Sequence, residues 1–264
     1  MSTYTSPITR VDTARGHHYV DGAGTRVPGV TTILSSGLPK TALVNWAGKA
    51  TAEYALDHWD ELAQLSPAKR LEKLQKARYA ERDAAAKRGT EVHALAERLV
   101  KGEEVEVPDE IAGHVESYVQ FLDAFQPEPL FVEFSVASYR HGYAGTGDLI
   151  AWFPTLGKTL LCDIKTNKSG IFGEIALQLA AYRYADVMID ADGERDMPAV
   201  DGCAAIHVRA DGADLIPVTA EGTQLRQFLY VQQVAEFNRT SQDLIGAPIE
   251  APGRTRRRRL EVIA

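Results

Sequence analysis

Two short segments with almost nothing between them constrain this chain most. GTGDLIAWF (145–153) and KTLLCDIKT (158–166) both read as strands, and only PTLG separates them. A connection that short returns the chain antiparallel, so the pair predicts a β-hairpin turning at PTLG. LFVEFSVASY (130–139) precedes them, alternating and rich in β-branched and aromatic residues, and predicts a third strand.

Helical and further strand signals surround this unit. HHYV, DGAGTR and VPGVTTIL predict a short hairpin entering a helix, broken by Ser35, Ser36 and Gly37. A helix is expected from about Lys40, with Leu43, Val44, Trp46, Ala47, Ala50 and Tyr54 as its apolar stripe. Another runs from about Pro67, with Gly89 expected to interrupt it before TEVHALAERLV. Ile111 to Phe125 and Phe172 to Met188 have helical spacing, CAAIHVRA and ADLIPVTA read as strands around Asp211–Gly212, and Thr223 to Asn238 as a closing helix. The order predicts an α/β domain with a mixed sheet and an N-terminal helical portion.

Charge and cysteine content narrow the function. The 264 residues carry a formal net charge of −7, which argues mildly against a nonspecific nucleic-acid binder. Local placement matters more. Lys69 to Lys101 holds ten basic and five acidic side chains, and RTRRRR follows Pro252–Gly253. Each region could meet phosphates; equally, the first could be a solvated helix laced with ion pairs and the second a solubilising tail. Cys162 and Cys203 are too few for a four-thiolate zinc or iron–sulfur site. They suit a reduced, intracellular compartment. No apolar run reaches membrane-spanning length and Met1 opens no signal-peptide pattern, so no membrane partner and a cytoplasmic location are expected.

Asp148, Asp163 and Lys165 form the sharpest constellation. Alternate strand residues share a side, so Asp163 and Lys165 point together while Ile164 enters the core. The hairpin brings Asp148 beside Asp163. Taken alone, such a set fits a surface ion pair. Two acids and a lysine ending an apolar strand also suit a hard divalent ion, held by Asp148 and Asp163 with the Ile164 carbonyl contributing. Such an ion polarises a phosphoryl oxygen and lowers the pKa of bound water. Lys165 could orient the water or stabilise developing charge; as a general base it would first need a depressed pKa. His93 could add a nitrogen ligand from a helix that Gly89 lets approach the sheet closely. Gln178 and Tyr182 share one helix face at i,i+4 and offer hydrogen bonds to DNA or to catalytic groups. Glu133 could assist the ion or hold Lys165.

GTEVH, GTGD, DIK and QLAAY together resemble the motifs of the PD-(D/E)xK nuclease superfamily, specifically its RecB-like and Cas4-like exonuclease branch. The resemblance spans about Lys87 to Arg209, and VTTIL and ALVNWAGKATAE look like the N-terminal region of phage-encoded members. It implies a restriction-endonuclease-like α/β fold, a mixed sheet flanked by helices, cutting DNA phosphodiesters with Mg²⁺ or Mn²⁺. His93 matches the helical metal ligand, Asp148 the hairpin acid, Asp163 and Lys165 the acid–x–lysine pair, and Gln178 and Tyr182 the QxxxY helix. Glu133 has a looser counterpart. The chain departs from Cas4 proteins in lacking four cysteines, so no iron–sulfur cluster is expected, and it has no Walker A sequence for a built-in motor. The expected organisation is an N-terminal hairpin and helical region (1–86), a nuclease core (87–245) and a basic tail (246–264). The expected partner is DNA with a free end, with a separate recombination protein or helicase as a further candidate. If the gene is carried by a phage, the location is the bacterial host cytoplasm. An endonuclease or nickase, a catalytically inactive DNA-binding recombination accessory protein and a metal-stabilised structural protein are the alternatives.

Overall fold

The computed structural model describes residues 4–13, 16–168, 170–190 and 193–249. Most of the expected basic tail, including its arginines, lies outside the described residues. The fold is mixed α/β. Strands β1 (Thr9–Thr13), β2 (Gly16–Val20) and β3 (Arg26–Val27) make a small antiparallel sheet. Helices α1 (Val30–Gly37), α2 (Thr41–Asp57), α3 (Trp59–Ala63), α4 (Pro67–Val100) and α5 (Ala112–Phe125) follow. The main sheet then begins with β4 (Glu128–Ser138), β5 (Tyr143–Phe153) and β6 (Lys158–Lys165). After α6 (Glu174–Arg183) come β7 (Val187–Asp190), β8 (Gly193–Asp196), β9 (Gly202–Arg209), β10 (Gly212–Val218) and α7 (Gly222–Thr240).

The seven-stranded sheet has the order β10-β9-β6-β5-β4-β7-β8, and only the β6–β9 pair is parallel. Its two faces are covered differently. One packs Leu161, Ile150 and Phe134 against α1, α6 and α7 through Val30, Leu179 and Phe228. The other packs Leu149, Cys162 and Ile164 against α4 and α5 through Val92, Ala96 and Phe121. The two cysteines are buried on opposite faces, with their thiols pushed up by burial. The N-terminal sheet seats Ile8, Tyr19 and Val27 against Ala137 and Ala144 of the main one. No helix among the described residues is long and apolar enough to cross a membrane.

The PTLG hairpin forms as expected, closed by the Gly157 and Leu156 N–H groups donating to the Phe153 carbonyl. Three expectations need correction. Gly89 does not interrupt α4, which is continuous for 34 residues and crosses the 86/87 position. A helix tolerates one glycine at a cost of about 1 kcal/mol. Here its missing side chain admits the sheet, since a Cβ would stand 3.2 Å from Thr166 Oγ1. The helix expected to reach Met188 stops at Arg183, and Val187–Asp190 instead pairs with the outer side of β4. Finally, the α2 stripe is only half buried: α2 packs on α4 with Trp46, Ala47, Ala50 and Tyr54 partly covered, while Leu43 and Val44 are exposed.

The glycines of GTGD have a packing reason. A Cβ at Gly145 would lie 2.5 Å from the Tyr182 ring, and one at Gly147 2.5 Å from the Phe134 ring. Both rings are buried, so neither can move aside freely. Gly145→Ala is therefore expected to cost about 1–3 kcal/mol and to displace Tyr182. A urea melt checks the first effect; unchanged stability would show that the ring has room to yield.

Candidate metal centre

The site lies where the central hairpin opens. The β5–β6 ladder runs from Phe153–Lys158 to Leu149–Cys162 and stops there. Asp148 and Asp163 are the next residues in register. Beyond the split β6 pairs only with β9, and the freed Ile164 N–H donates instead to Asp148 Oδ2 at 2.6 Å. A carboxylate has thus replaced a ladder carbonyl, which satisfies a buried donor and fixes the acid. On the other side of β5, Glu133 faces Asp148 in register from β4, between the pairs Val132–Leu149 and Phe134–Gly147.

Glu133 has a φ of +50°, in the left-handed region. For a non-glycine residue inside a strand this costs about 1–2 kcal/mol, and such outliers concentrate at functional sites. Glu133→Gly is accordingly expected to be more stable than Glu133→Ala by about 1 kcal/mol, reversing the usual strand preference for alanine. Equilibrium unfolding of the two variants decides it; an alanine variant equal to or above the glycine variant would mean the backbone relaxes without strain.

His93 comes from α4, which Gly89 lets approach the sheet. Its Nδ1 is 3.5 Å from Asp148 Oδ2. Burial lowers its pKa, opposed by Asp163 and by a hydrogen bond with the Ile164 backbone, so the ring is neutral near pH 7 and free to ligate. His93, Glu133 and Asp148 each offer one ligand atom, all within 4.8 Å of one another. They line a small, partly open cavity of about 10 Å³, roughly the size of one water or ion. Tyr118 lines it too, and its buried hydroxyl has no hydrogen-bond partner among the described residues. The donors fit a divalent cation: one imidazole, two carboxylates and an ion-sized space. Without a cation the acids are held at a cost. Burial, then Asp163, pushes the Asp148 carboxyl well above the usual range, and burial followed by Glu97 raises Glu133.

Asp163 belongs to a second, adjoining group. Its Oδ2 faces the Lys165 ammonium in an ion pair, and its Oδ1 accepts from Gln178 Nε2 at 2.5 Å. Gln178 also donates to Tyr182 Oη at 3.2 Å, while its Oε1 lies 3.5 Å from Lys165 Nζ. The i,i+4 spacing on α6 therefore positions the acid and the lysine together. Burial alone would lower the Lys165 pKa, but Asp163 and Asp148 overcome it and raise it, so Lys165 remains an ammonium. His93, Glu133, Asp148, Asp163, Lys165, Gln178 and Tyr182 all lie in this region. Ile164 sits between the two groups, its N–H on Asp148 and its backbone in the His93 hydrogen bond.

Sequence reasoning missed Tyr118 and Arg10. Tyr118 looks like any aromatic in an amphipathic helix. Arg10, on β1, has its Nη1 3.7 Å from Glu133 Oε2, a contact that only tertiary folding creates. Comparison with known proteins finds no matching family model and no matching curated protein.

Proposed function

We propose that this chain is a Mg²⁺- or Mn²⁺-dependent deoxyribonuclease of restriction-endonuclease-like fold, in the RecB-like and Cas4-like branch of the PD-(D/E)xK superfamily, acting at DNA ends. One observation carries the reading: His93, Glu133, Asp148, Asp163 and Lys165, from four separate elements, converge where β5 and β6 part. A structural ion pair needs two of these groups and no ion-sized cavity beside them.

Bound there, the cation would supply Lewis acidity toward a phosphoryl oxygen. The carboxylates favour Mg²⁺ or Mn²⁺, and the imidazole favours Mn²⁺ of the two. The chain's own groups do the rest. His93, Glu133 and Asp148 would hold the cation, with Asp163 opposite Asp148 where β5 and β6 part. Lys165, charged and aimed by Asp163 and Gln178, stabilises the negative charge that develops at phosphorus and the leaving oxygen. Its raised pKa assigns it to charge stabilisation rather than to proton abstraction. Tyr182, buried beneath the site, accepts a hydrogen bond from Gln178 and so helps to hold it.

The basic segment of α4 supports a DNA partner in a qualified form. Lys73, Lys76, Lys87, Arg98 and Lys101 are ion-paired with glutamates, and Arg70 is spent on the carbonyls ending α3. Exposed pairs of this kind are worth well under about 1 kcal/mol, so a phosphate can displace the carboxylate. End-labelled linear duplex with Mg²⁺ or Mn²⁺ tests the reading, with covalently closed circular DNA alongside. Release of labelled nucleotide from the linear form alone supports an end-acting enzyme. Relaxation or linearisation of the circle would instead make it an endonuclease or nickase, and cleavage of neither would end the nuclease reading.

A further inference from the structure

Arg10 stands at the mouth of the site, on the N-terminal sheet rather than the main one. It is the register partner of Tyr19 across β1–β2. Both side chains converge on Thr146, two residues before Asp148: Tyr19 Oη lies 2.7 Å from Thr146 Oγ1, and Arg10 Nη1 3.5 Å from the same atom. The Arg10 Nε donates to Asp12 at 2.9 Å, which fixes the base of the guanidinium. Its Nη1 then faces Glu133 Oε2. This arginine opens onto a groove of about 460 Å³ lined by Asp12, Glu97, Glu133, Ser135 and Asp190. The groove adjoins the cation cavity, and Glu97, Val132 and Glu133 line both.

One carboxylate is thus claimed from two sides. Glu133 is within ligand range of His93 and Asp148, and within ion-pair range of Arg10. Glu133 has two oxygens, but a cation on one and a guanidinium on the other would stand a few ångströms apart and repel each other, so each weakens the other's hold on the carboxylate. We propose that Arg10 is the internal counter-ion of Glu133, that a divalent cation displaces it, and that the freed guanidinium then binds a phosphate oxygen of the DNA strand beside the cation, where the two positive groups offset the Asp12, Glu97 and Asp190 carboxylates lining the groove. Arg10 would couple cation loading to strand binding, because its Nη1 and its charge turn from Glu133 to phosphate once a cation engages that carboxylate. The phosphate part rests on the nuclease reading above; the competition for Glu133 does not.

Calorimetric titration of the full chain with Mn²⁺, without DNA, tests the first part. Arg10→Ala should bind Mn²⁺ about threefold to tenfold more tightly than wild type, and Arg10→Lys, which keeps the charge, should stay near wild type. Anisotropy with a short end-labelled duplex, in a Lys165→Ala background to slow cleavage, tests the second. Arg10→Ala should weaken DNA binding about threefold to tenfold with Mn²⁺ present and leave it nearly unchanged in chelator. Unchanged or weaker Mn²⁺ binding in Arg10→Ala overturns the proposal, as does an equal loss of DNA affinity with and without Mn²⁺. Should alanine compromise folding, Arg10→Gln removes the charge but keeps a polar amide that can replace the Nε donor to Asp12, and is expected to tighten Mn²⁺ binding in the same direction. A wild type that binds Mn²⁺ and DNA but never cleaves would sink the nuclease reading and leave the Arg10 competition standing.

Discussion

Asp148→Asn is expected to abolish cation-dependent cleavage, by at least about 10²–10³-fold, while making the cation-free protein more stable. The two effects share one cause. Asp148 is nearly enclosed, and burial, then Asp163, raises its carboxyl above the usual range. The native state therefore holds that proton more tightly than the unfolded chain does. Stability from this group is full at low pH, and it declines as pH rises from the ordinary carboxylate value through the raised native one. Asparagine removes the ionisation and with it the decline, and its carbonyl still accepts from the Ile164 N–H that Asp148 serves. At neutral pH in chelator the variant should gain on the order of 1 kcal/mol, and near pH 4 the gain should shrink. Urea melts at the two pH values measure it. A variant less stable than wild type at neutral pH would mean that Lys165 compensates the Asp148 charge in full.

Lys165→Ala should move stability in the opposite direction. It removes the ammonium that Asp163 and Asp148 hold charged and leaves two neighbouring carboxylates without it. The lysine side chain is one-third exposed, so the expected loss in chelator is on the order of 1–2 kcal/mol rather than the full cost of breaking a buried pair. Saturating Mn²⁺ should restore more stability to this variant than to wild type, because the cation replaces the missing positive charge. Cleavage should nonetheless fall about 10²–10³-fold with Mn²⁺ affinity retained or improved. Thermal melts with and without Mn²⁺, run beside single-turnover cleavage, separate these. Loss of Mn²⁺ binding in Lys165→Ala would place the lysine in support of the cation site rather than in the chemistry.

The parts of this fold that were legible in the sequence are those governed by local periodicity. The β5–β6 hairpin follows from two apolar runs and a four-residue turn, and Asp163 and Lys165 share a side because strands alternate. Gln178 and Tyr182 meet because they are one helical turn apart. What escaped depends on partners distant in sequence. Val187–Asp190 continues a helical pattern locally, but the free edge of β4 captures its backbone. Gly89 reads as a break until Thr166 is seen against it. Leu43 and Val44 have core-like spacing, yet α2 packs mainly on α4 and leaves both exposed. Within the site, Glu133 was ambiguous because its importance lies in a left-handed backbone and a register position opposite Asp148. Arg10 carried no signal at all, since the small N-terminal sheet must first dock on β5 before it can reach Glu133.

The most direct test of the central claim is anomalous diffraction from crystals of the protein grown with Mn²⁺ and a short DNA duplex end. The account predicts a manganese peak in the cavity between His93, Glu133 and Asp148, with the terminal phosphodiester on the Lys165 side of it. A site without manganese, or DNA seated away from Asp163 and Lys165, would contradict it.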